Sequence, residues 1–296
     1  MQAHAGFHLQ LNRFNAQRFT PRLPTDDWHA GLEEELVARA NEIRFVEEER
    51  ANVVDRARKA PRNAREFIEW FENLKAIGPG QGDILFPWLA EEATIREMKW
   101  FLGQEVAGEA GFDDLLALAQ IKLPPQAKLE LARNYWDELG RGTASGMHGP
   151  MLAHLASSMR VGEDPAVWES IALGNLMIAL AANRRYAYHA IGALGVIELT
   201  APGRAAFVNA GLKRLGVDGE VRRYYALHAT LDIKHSEAWN KEALMPLVEE
   251  DPERAQAFAE GALMRLEAGH RCFIRYRQEL RAPALPERFE YCEAAE

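Results

Sequence analysis

The amino-acid sequence predicts an all-α fold, and three observations lead to that prediction. Apolar residues recur at spacings of three and four along nearly the whole chain, the pattern of helices with one buried face. Alternating runs of Val, Ile and Thr bounded by turn dipeptides, which are typical of strands, are missing. Prolines stand where helices would begin, as Pro61, Pro125 and Pro252 do.

Each periodic segment predicts one helix, and a linker-like segment, Gly-Pro-Gly-Gln-Gly at 78–82, predicts a boundary. Residues 1–82 would form an N-terminal segment with a helical extension, and residues 83–296 a bundle with a short acidic tail. The extension has an apolar stripe, including Leu32 and Leu36, that must pack on something, so a homodimer is one expectation. The predicted helices cover residues 30–59, 62–77, 90–108, 112–121, 125–139, 147–160, 165–199 with a break near 184–188, 202–215, 219–245 and 253–280.

The composition indicates a globular cytoplasmic protein whose partners are small molecules. Lys and Arg number 35 against 44 Asp and Glu, and the net charge of −9 argues against nucleic acid as a partner. Cys272 and Cys292 are too few for a disulfide framework, and the N-terminus lacks the continuous apolar stretch of a secretory signal. The longest uncharged apolar run, at 170–183, falls short of the roughly 20 residues that cross a bilayer, so no membrane partner is expected.

The strongest chemical signal is a triplet of polar residues on one predicted helix. His228, Asp232 and His235 stand at i, i+4 and i+7, which a helix places at about 0°, +40° and −20° around its axis. Two imidazoles and a carboxylate therefore leave the same face, a ligand set that suits non-haem iron and also manganese or zinc. The alternative is a solvated polar stripe, which the apolar neighbours Leu227 and Leu231 disfavour.

A second candidate pair lies on either side of a glycine-rich segment. Glu138 precedes Gly140, Gly142 and Gly146, and His148 follows them. An uninterrupted helix would separate the two side chains by roughly 80° of rotation, but a kink at the glycines could bring them together. The alternative is a helix end whose acidic residues face solvent.

Two further carboxylates stand in apolar surroundings. Glu198 follows a run of Gly, Ala, Leu, Val and Ile, and burying a carboxylate without compensation would be strongly unfavourable. It therefore needs a partner, either a metal ion or Arg204 in the next predicted helix. Glu105 makes a similar case, although Glu109 lies one turn away and either side chain could face inward.

Together these residues match a two-metal site inside a helical bundle, since one metal ion would leave carboxylates over. The ferritin-type pattern of two Glu-x-x-His pairs is not met. The sequence instead resembles the haem-oxygenase-like diiron oxidases and oxygenases, also known as the iron-containing redox enzymes. The resemblance covers about residues 90–280 and is carried by the order and spacing of Glu138, His148, Glu198 and the triplet.

The resemblance implies a haem-oxygenase-like helical bundle with two Fe²⁺ ions and O2 as co-substrate. Family members hydroxylate amine or guanidine nitrogens, desaturate or fragment amino acids, or decarboxylate fatty acids, commonly in natural-product pathways. Glu105 matches a carboxylate that only some members use as a ligand, and an external electron donor is an expected partner. The implied ligands are Glu138, His148 and Glu198 for one iron, and His228, Asp232 and His235 for the other, with a carboxylate bridging.

Residues next to the candidate ligands predict a pocket of modest size, although such residues are also typical of ordinary core. A pocket of that kind favours a small substrate derived from an amino acid over a fatty acid. Arg184 and Arg185, at the predicted helix break, are the candidates for binding a substrate carboxylate. The predicted substrate-binding residues are Tyr224, Trp239, Met147 and Met151.

Two other functions stay open at this point. The same bundle occurs in relatives that work without a metal, including thiamine-degrading enzymes. Those with a cysteine nucleophile are disfavoured, because Cys272 and Cys292 fall in the last helix and the tail. The second alternative is a non-enzymatic helical protein that binds iron for storage or sensing. A haem-degrading enzyme is disfavoured, because one axial histidine would suffice there and the carboxylates would be unexplained.

Overall fold

The computed structural model describes residues 2–24, 28–162 and 164–283, so the predicted acidic tail, with Cys292, lies outside the described residues. Within these ranges the regular structure is helical, and a single isolated bridge joins Leu139 to Met147. The predicted all-α fold is confirmed. The α-helices are α1 (Gln2–Phe19), α2 (Trp28–Ala51), α3 (Val54–Ala57), α4 (Ala64–Ile77), α5 (Leu85–Glu91), α6 (Ile95–Gly108), α7 (Phe112–Ala119), α8 (Pro125–Glu138), α9 (His148–Met159), α10 (Trp168–Ala182), α11 (Ala187–Arg214), α12 (Arg223–Trp239), α13 (Met245–Glu250) and α14 (Arg254–Leu280).

The centre of the bundle is α11, which packs most extensively against α12 and α14. Gly192 of α11 lies against the backbone of Phe258 on α14, since a Cβ at position 192 would stand 2.1 Å from that residue's carbonyl oxygen. Gly261 of α14 lies in the same way against His189, where the corresponding distance is 1.9 Å. The two backbones therefore touch at two points, which fixes the alignment of α11 and α14.

Several helix joints differ from the prediction, including a break at 52–53 inside the predicted helix 30–59 and an additional helix, α5, that begins before residue 90. The predicted break near 184–188 is a 3₁₀ turn at Arg184–Tyr186, but the predicted break around residues 199–202 is absent, because α11 continues through Pro202. Buried residues before and after the proline, such as Val196 and Val208, hold the two parts in one line. The predicted helix 219–245 is also interrupted, because α12 ends at Trp239 and passes through a π-helical turn at Asn240–Leu244 into α13.

The helical run Arg184–Arg214 is long and apolar enough, by length and composition, to span a membrane. In its most apolar window, 56% is buried inside the protein, and α10, α12 and α14 pack against it. This is the environment of the central helix of a bundle. The segment therefore gives only weak evidence of membrane insertion.

The N-terminal part of the chain packs onto the bundle. Helix α1, which the sequence does not predict, lies on α10, where Asn15 Nδ2 donates to Asn175 Oδ1 over 3.0 Å. Asn175 Nδ2 in turn donates to the carbonyl of His8 over 2.9 Å. Polar tertiary contacts of this kind leave no apolar period in the sequence, which explains why α1 is missed. The segment 78–82 connects α4 to α5, and helices on both sides of it share one hydrophobic core.

The apolar stripe of α2 is covered at one end only. Val46 is fully buried, whereas Leu32 and Leu36 are 53% and 72% exposed. The stripe therefore packs on the bundle through its C-terminal half and faces outward through its N-terminal half. The predicted homodimer and the predicted division of the chain at residue 82 both stay predictions.

Candidate metal centre

Four helices bring six of the seven predicted metal ligands together, and Glu105 stands apart on α6. Glu138 is the last residue of α8, His148 the first of α9, and Glu198 lies in the middle of α11. The triplet occupies one face of α12. His228 is half-buried, and the remaining five side chains of this set are buried.

The glycine-rich segment makes the return between α8 and α9. Gly140 and Gly142 have positive φ angles of 59° and 82°, and two 3₁₀ turns bring Leu139 back opposite Met147. Only glycine fits at position 140, because a Cβ there would lie 2.2 Å from the carbonyl carbon of Gly146. The return places His148 Nδ1 2.6 Å from Glu138 Oε2.

The donor atoms form two groups that share one carboxylate. Glu138, His148 and His228 form the first group, and within it the donor atoms lie within 4.8 Å of one another. Glu138, Glu198 and His235 form the second group at the same spacing. This grouping differs from the one that the resemblance implies, because His228 pairs with His148 rather than with His235. Asp232 belongs to neither group but is buried, and it lines a cavity that Glu138, His148, Glu198 and His228 also line.

Neighbouring groups fix which nitrogen each α12 histidine presents. His228 Nδ1 donates to the carbonyl of Tyr224 over 2.8 Å, so its Nε2 is the atom left for a metal. His235 Nε2 donates to Asp137 Oδ2 over 3.1 Å, which leaves Nδ1 directed at Glu198 Oε2, 3.4 Å away. Arg141 Nε holds the other oxygen of Asp137 at 2.6 Å. Asp137 therefore orients His235, a role that the sequence analysis does not assign to it.

Several buried donor atoms in the centre have no hydrogen-bond partner among the described residues. Asn134 Nδ2 donates to Glu198 Oε1 over 2.7 Å, but Glu198 Oε2 is unpartnered. His148 Nδ1 and His235 Nδ1 lie at ion-pair distances of 2.6 and 3.4 Å from carboxylate oxygens of Glu138 and Glu198, but neither nitrogen has a hydrogen bond. Buried unpartnered atoms of this kind need an explanation, and a bound metal ion satisfies nitrogen and oxygen donors at once. The unpartnered atoms are His148 Nδ1, Glu198 Oε2, Asp232 Oδ1 and His235 Nδ1.

The pKa values of the carboxyl groups in the centre also favour a bound cation. Burial raises the pKa of Glu138 well above its usual value, and the charge of Glu198 adds to the effect. Burial, Glu198 and Glu138 together raise the pKa of Asp232 to about 10. Three carboxylates thus lie together without enough positive charge to keep all of them ionised, and divalent cations would supply that charge.

The histidines divide into two kinds. Burial lowers the pKa of His148 and of His228 to about 4, so both are neutral near pH 7, as metal ligation requires. Burial also opposes the charged form of His235, but the facing carboxylates of Glu198 and Asp137 outweigh it and raise the pKa to about 9. In the metal-free protein His235 therefore carries a proton that a metal ion would displace.

A cavity of about 190 Å³ adjoins the donor groups and is lined by residues of several helices. Glu105 lines this cavity but belongs to neither donor group, and the same is true of Glu109. Tyr224 lines it as well, with its ring centroid 4.2 Å from that of His228. Tyr224 and Glu105 therefore belong to the cavity wall beside the donor groups.

The remaining predicted substrate residues do not line the cavity. Trp239 is fully buried and packs on Gly195, where a Cβ would stand 2.5 Å from the indole nitrogen. Met147 and Met151 are also absent from the cavity wall. Arg184 donates to the carbonyls of α7 and the turn after it, and Arg185 lies 3.6 Å from Glu47. These side chains serve packing and surface contacts in the described structure.

Cys272, which the sequence analysis disfavours as a nucleophile because it falls in the last helix, lies in the cavity wall. Burial raises the pKa of its thiol to about 12, so the thiolate that a nucleophile requires is scarce at neutral pH. A cysteine-dependent, metal-free mechanism is disfavoured for this reason rather than by the position of the residue in the chain.

A helical bundle with carboxylate and imidazole donors converging from facing helices is the architecture of non-haem metal enzymes built on helices. Residues 99–270 match the model of a family described as iron-containing redox enzyme. The match covers more than half of the chain, and the chain belongs to the iron-containing redox enzyme family. The resemblance predicted from the ligand pattern is confirmed.

A solved structure shares this fold. It is the crystal structure of a CADD-like protein of unknown function from Nostoc punctiforme PCC 73102, with a TM-score of 0.55 and 17% sequence identity. The alignment covers 72% of this chain and 96% of that chain. No curated protein sequence matches the chain.

Proposed function

We propose that the protein is a non-haem diiron enzyme that activates O2 to oxidise a small organic substrate. The observation that carries this proposal is the pair of buried donor groups that share Glu138. Each group offers both nitrogen and oxygen donors, which suit Fe²⁺. Asp232 and Glu198 add the negative charge that a second divalent ion needs.

The chain's own residues would bind and orient the ions and exclude water. Asn134 and Asp137 fix the directions of Glu198 and His235, and apolar residues such as Leu173 and Ile197 form the cavity wall. Two ferrous ions bound here would supply electrons to reduce O2, and an external electron donor would restore them.

The reaction would be N-oxygenation, desaturation or oxidative C–C cleavage of an amino-acid-derived compound, as part of natural-product biosynthesis. The small size of the cavity, about 190 Å³, supports a compact substrate. A cytoplasmic location and the absence of nucleic-acid and membrane partners belong to the same proposal and follow from composition.

Two alternatives make different predictions for metal binding. A metal-free, thiaminase-like enzyme would leave the unpartnered donors around Glu138 without a function. A non-enzymatic iron-binding protein would use those donors but would not need the adjoining cavity or its polar wall residues. The unpartnered donors and the cavity together favour a metal-dependent enzyme.

Anaerobic titration with ferrous iron, followed by Mössbauer spectroscopy, tests the proposal. We expect about two irons per chain, and a transient visible absorbance band when the loaded protein meets O2 in a stopped-flow instrument. Oxygen consumption that depends on an organic substrate would separate an enzyme from a storage protein. A folded protein that takes up no iron would refute the site assignment.

A further inference from the structure

Two arginines line the same cavity as the metal donors. Arg204 stands on α11 and Arg265 on α14, and both contribute to the cavity wall. No ion pair among the described residues includes either guanidinium, and Arg265 Nε is buried without a hydrogen-bond partner. Both side chains are half-buried in the cavity wall, where an arginine normally has an anionic partner, so this pair needs an explanation.

Each guanidinium is held in place by groups that do not neutralise it. Arg204 lies over the rings of Phe86 and Phe273, 5.9 and 5.7 Å from their centroids, and donates from Nη2 to Thr200 Oγ1 over 3.2 Å. The Arg204 guanidinium thus contacts two ring faces and uses one of its five N–H donors in a hydrogen bond, so the other donors remain for a ligand.

Arg265 depends on a glycine for its place. A Cβ at Gly269 would stand only 2.8 Å from Arg265 Nη1, so the absent side chain at position 269 makes room for the guanidinium beside the cavity. Gly269 itself belongs to the cavity wall. The local sequence therefore accommodates the cation at this position.

Two carboxylates lie near the two arginines, but neither forms an ion pair with them among the described residues. Glu105 acts electrostatically on both guanidiniums, and Glu109 acts on Arg265. Burial lowers the pKa of Arg204 to about 10, and the charge of Arg265 adds to this. The unused N–H groups of both guanidiniums therefore stay available to an anionic group in the cavity.

Arg204 lies about two turns of helix away from the candidate metal ligand on the same helix. Glu198 and Arg204 are six residues apart on α11, which corresponds to about 9 Å along the helix axis. A molecule in the cavity could thus place an anionic group at the arginines and its other end at the metal donors.

We infer that Arg204 and Arg265 bind the carboxylate of a small monocarboxylate substrate and so orient its other end toward Glu138 and the histidines. This inference rests on the proposed function, because it gives the same cavity a substrate class. The planar, forked guanidinium matches the two oxygens of a carboxylate, and the nearby carboxylates Glu105 and Glu109 disfavour a phosphate dianion more than a monoanion.

Isothermal titration with carboxylates and their primary amides tests the inference without knowledge of the substrate. The probes are phenylacetate, 3-phenylpropanoate, hexanoate and L-phenylalanine, each compared with its amide, together with inorganic phosphate. We expect at least one carboxylate to bind at least tenfold more tightly than its amide. Arg204→Gln and Arg265→Gln should each remove that preference, whereas Arg185→Gln, outside the cavity, should keep it.

Several outcomes would overturn the inference: no carboxylate preferred over its amide, a preference that survives in both glutamine variants, or phosphate bound more tightly than every carboxylate. The wild-type comparison stays decisive even if a variant fails to fold. Iron stoichiometry, measured separately, keeps the two proposals apart. Two bound irons without a carboxylate preference would refute the arginine site alone, and a carboxylate preference without iron uptake would refute the diiron function alone.

Discussion

The two donor groups predict how paired histidine substitutions change iron stoichiometry. His148 and His228 belong to one group, so the double variant His148→Ala/His228→Ala should lose one iron and keep the other, held by Glu138, Glu198 and His235. The double variant His148→Ala/His235→Ala removes one histidine from each group and should weaken the binding of both irons. The grouping implied by the resemblance places His148 and His228 at different irons, so it predicts that the first variant would weaken the binding of both.

The size of the effect follows from the number of ligands removed. Structural zinc sites with four ligands bind with about 10–16 kcal/mol, or roughly 3 kcal/mol per ligand, which sets an upper scale for ferrous iron. Loss of two ligands from one group therefore removes about 6 kcal/mol, which weakens binding by about 10⁴-fold and leaves that group without metal at micromolar iron. The other group keeps its own three donors.

The assay is anaerobic iron titration, with bound iron counted per chain after gel filtration and assigned by Mössbauer spectroscopy. His154→Ala is the matched control, because His154 lies exposed on α9 and should leave two irons bound. His235→Ala alone should lose one iron and nearly all turnover. Loss of both irons from folded His148→Ala/His228→Ala would refute the grouping.

Other predictions concern protons and packing. His235 and Asp232 have pKa values raised to about 9 and about 10 in the metal-free protein, and the pKa of Glu138 is raised as well, so iron binding should release at least two protons and strengthen from pH 6 to 8. Chelator competition at several pH values would show no trend if this is wrong. The folded-state pKa values of His235 and Asp232 lie above the unfolded ones, whereas the lowered values of His148 and His228 act in the opposite sense only below about pH 6.5. The metal-free protein should therefore lose stability as pH rises from about 7 to 9, and a urea midpoint that increased over this range in chelator would contradict this. Gly261→Ala should destabilise by about 3 kcal/mol or more, because its Cβ would meet the His189 carbonyl at 1.9 Å, whereas Gly203→Ala, with open space around it, should stabilise by about 0.5–1 kcal/mol. Equal urea midpoints for the two glycine variants would refute the packing argument.

Helical periodicity explains which parts of the site could be predicted. The triplet on α12 is regular helix, so the spacing of His228, Asp232 and His235 suffices to place them on one face. The approach of Glu138 to His148 depends on positive φ angles in the connection between them. Glycines at those positions permit such angles but do not require them, so the sequence left a helix end as an alternative.

Residues that act through tertiary contacts are less predictable from the sequence. Asn134 stands four residues before Glu138, and that spacing places both on one face of α8, a signal that could have identified it. Asp137 reaches His235 on α12, 98 residues away in sequence. The sequence analysis treats Arg204 only as a partner of Glu198. Arg265, which lines the same cavity, lies on a different helix. No local pattern links these pairs.

The prediction for Trp239 shows the limit of reasoning from one helix face. Trp239 lies one turn beyond the triplet, but Gly195 on α11 leaves a space at that level, and the indole fills it. The cavity lies instead between α12 and the helices that carry Glu105 and Arg265. Which level of a helix faces a cavity depends on its neighbours, which the residues of α12 do not specify.

The backbone contacts between α11 and α14 give the centre one stiff wall and one compliant wall. Glu198 stands on α11, which cannot shift without opening the contacts at Gly192 and Gly261. Glu138 and His148 stand at the ends of a connection whose residues 141–145 are exposed. A change in ionic radius or in ligand number would therefore be absorbed by movement of this connection, while α11 keeps Glu198 and Arg204 at a constant separation for the substrate.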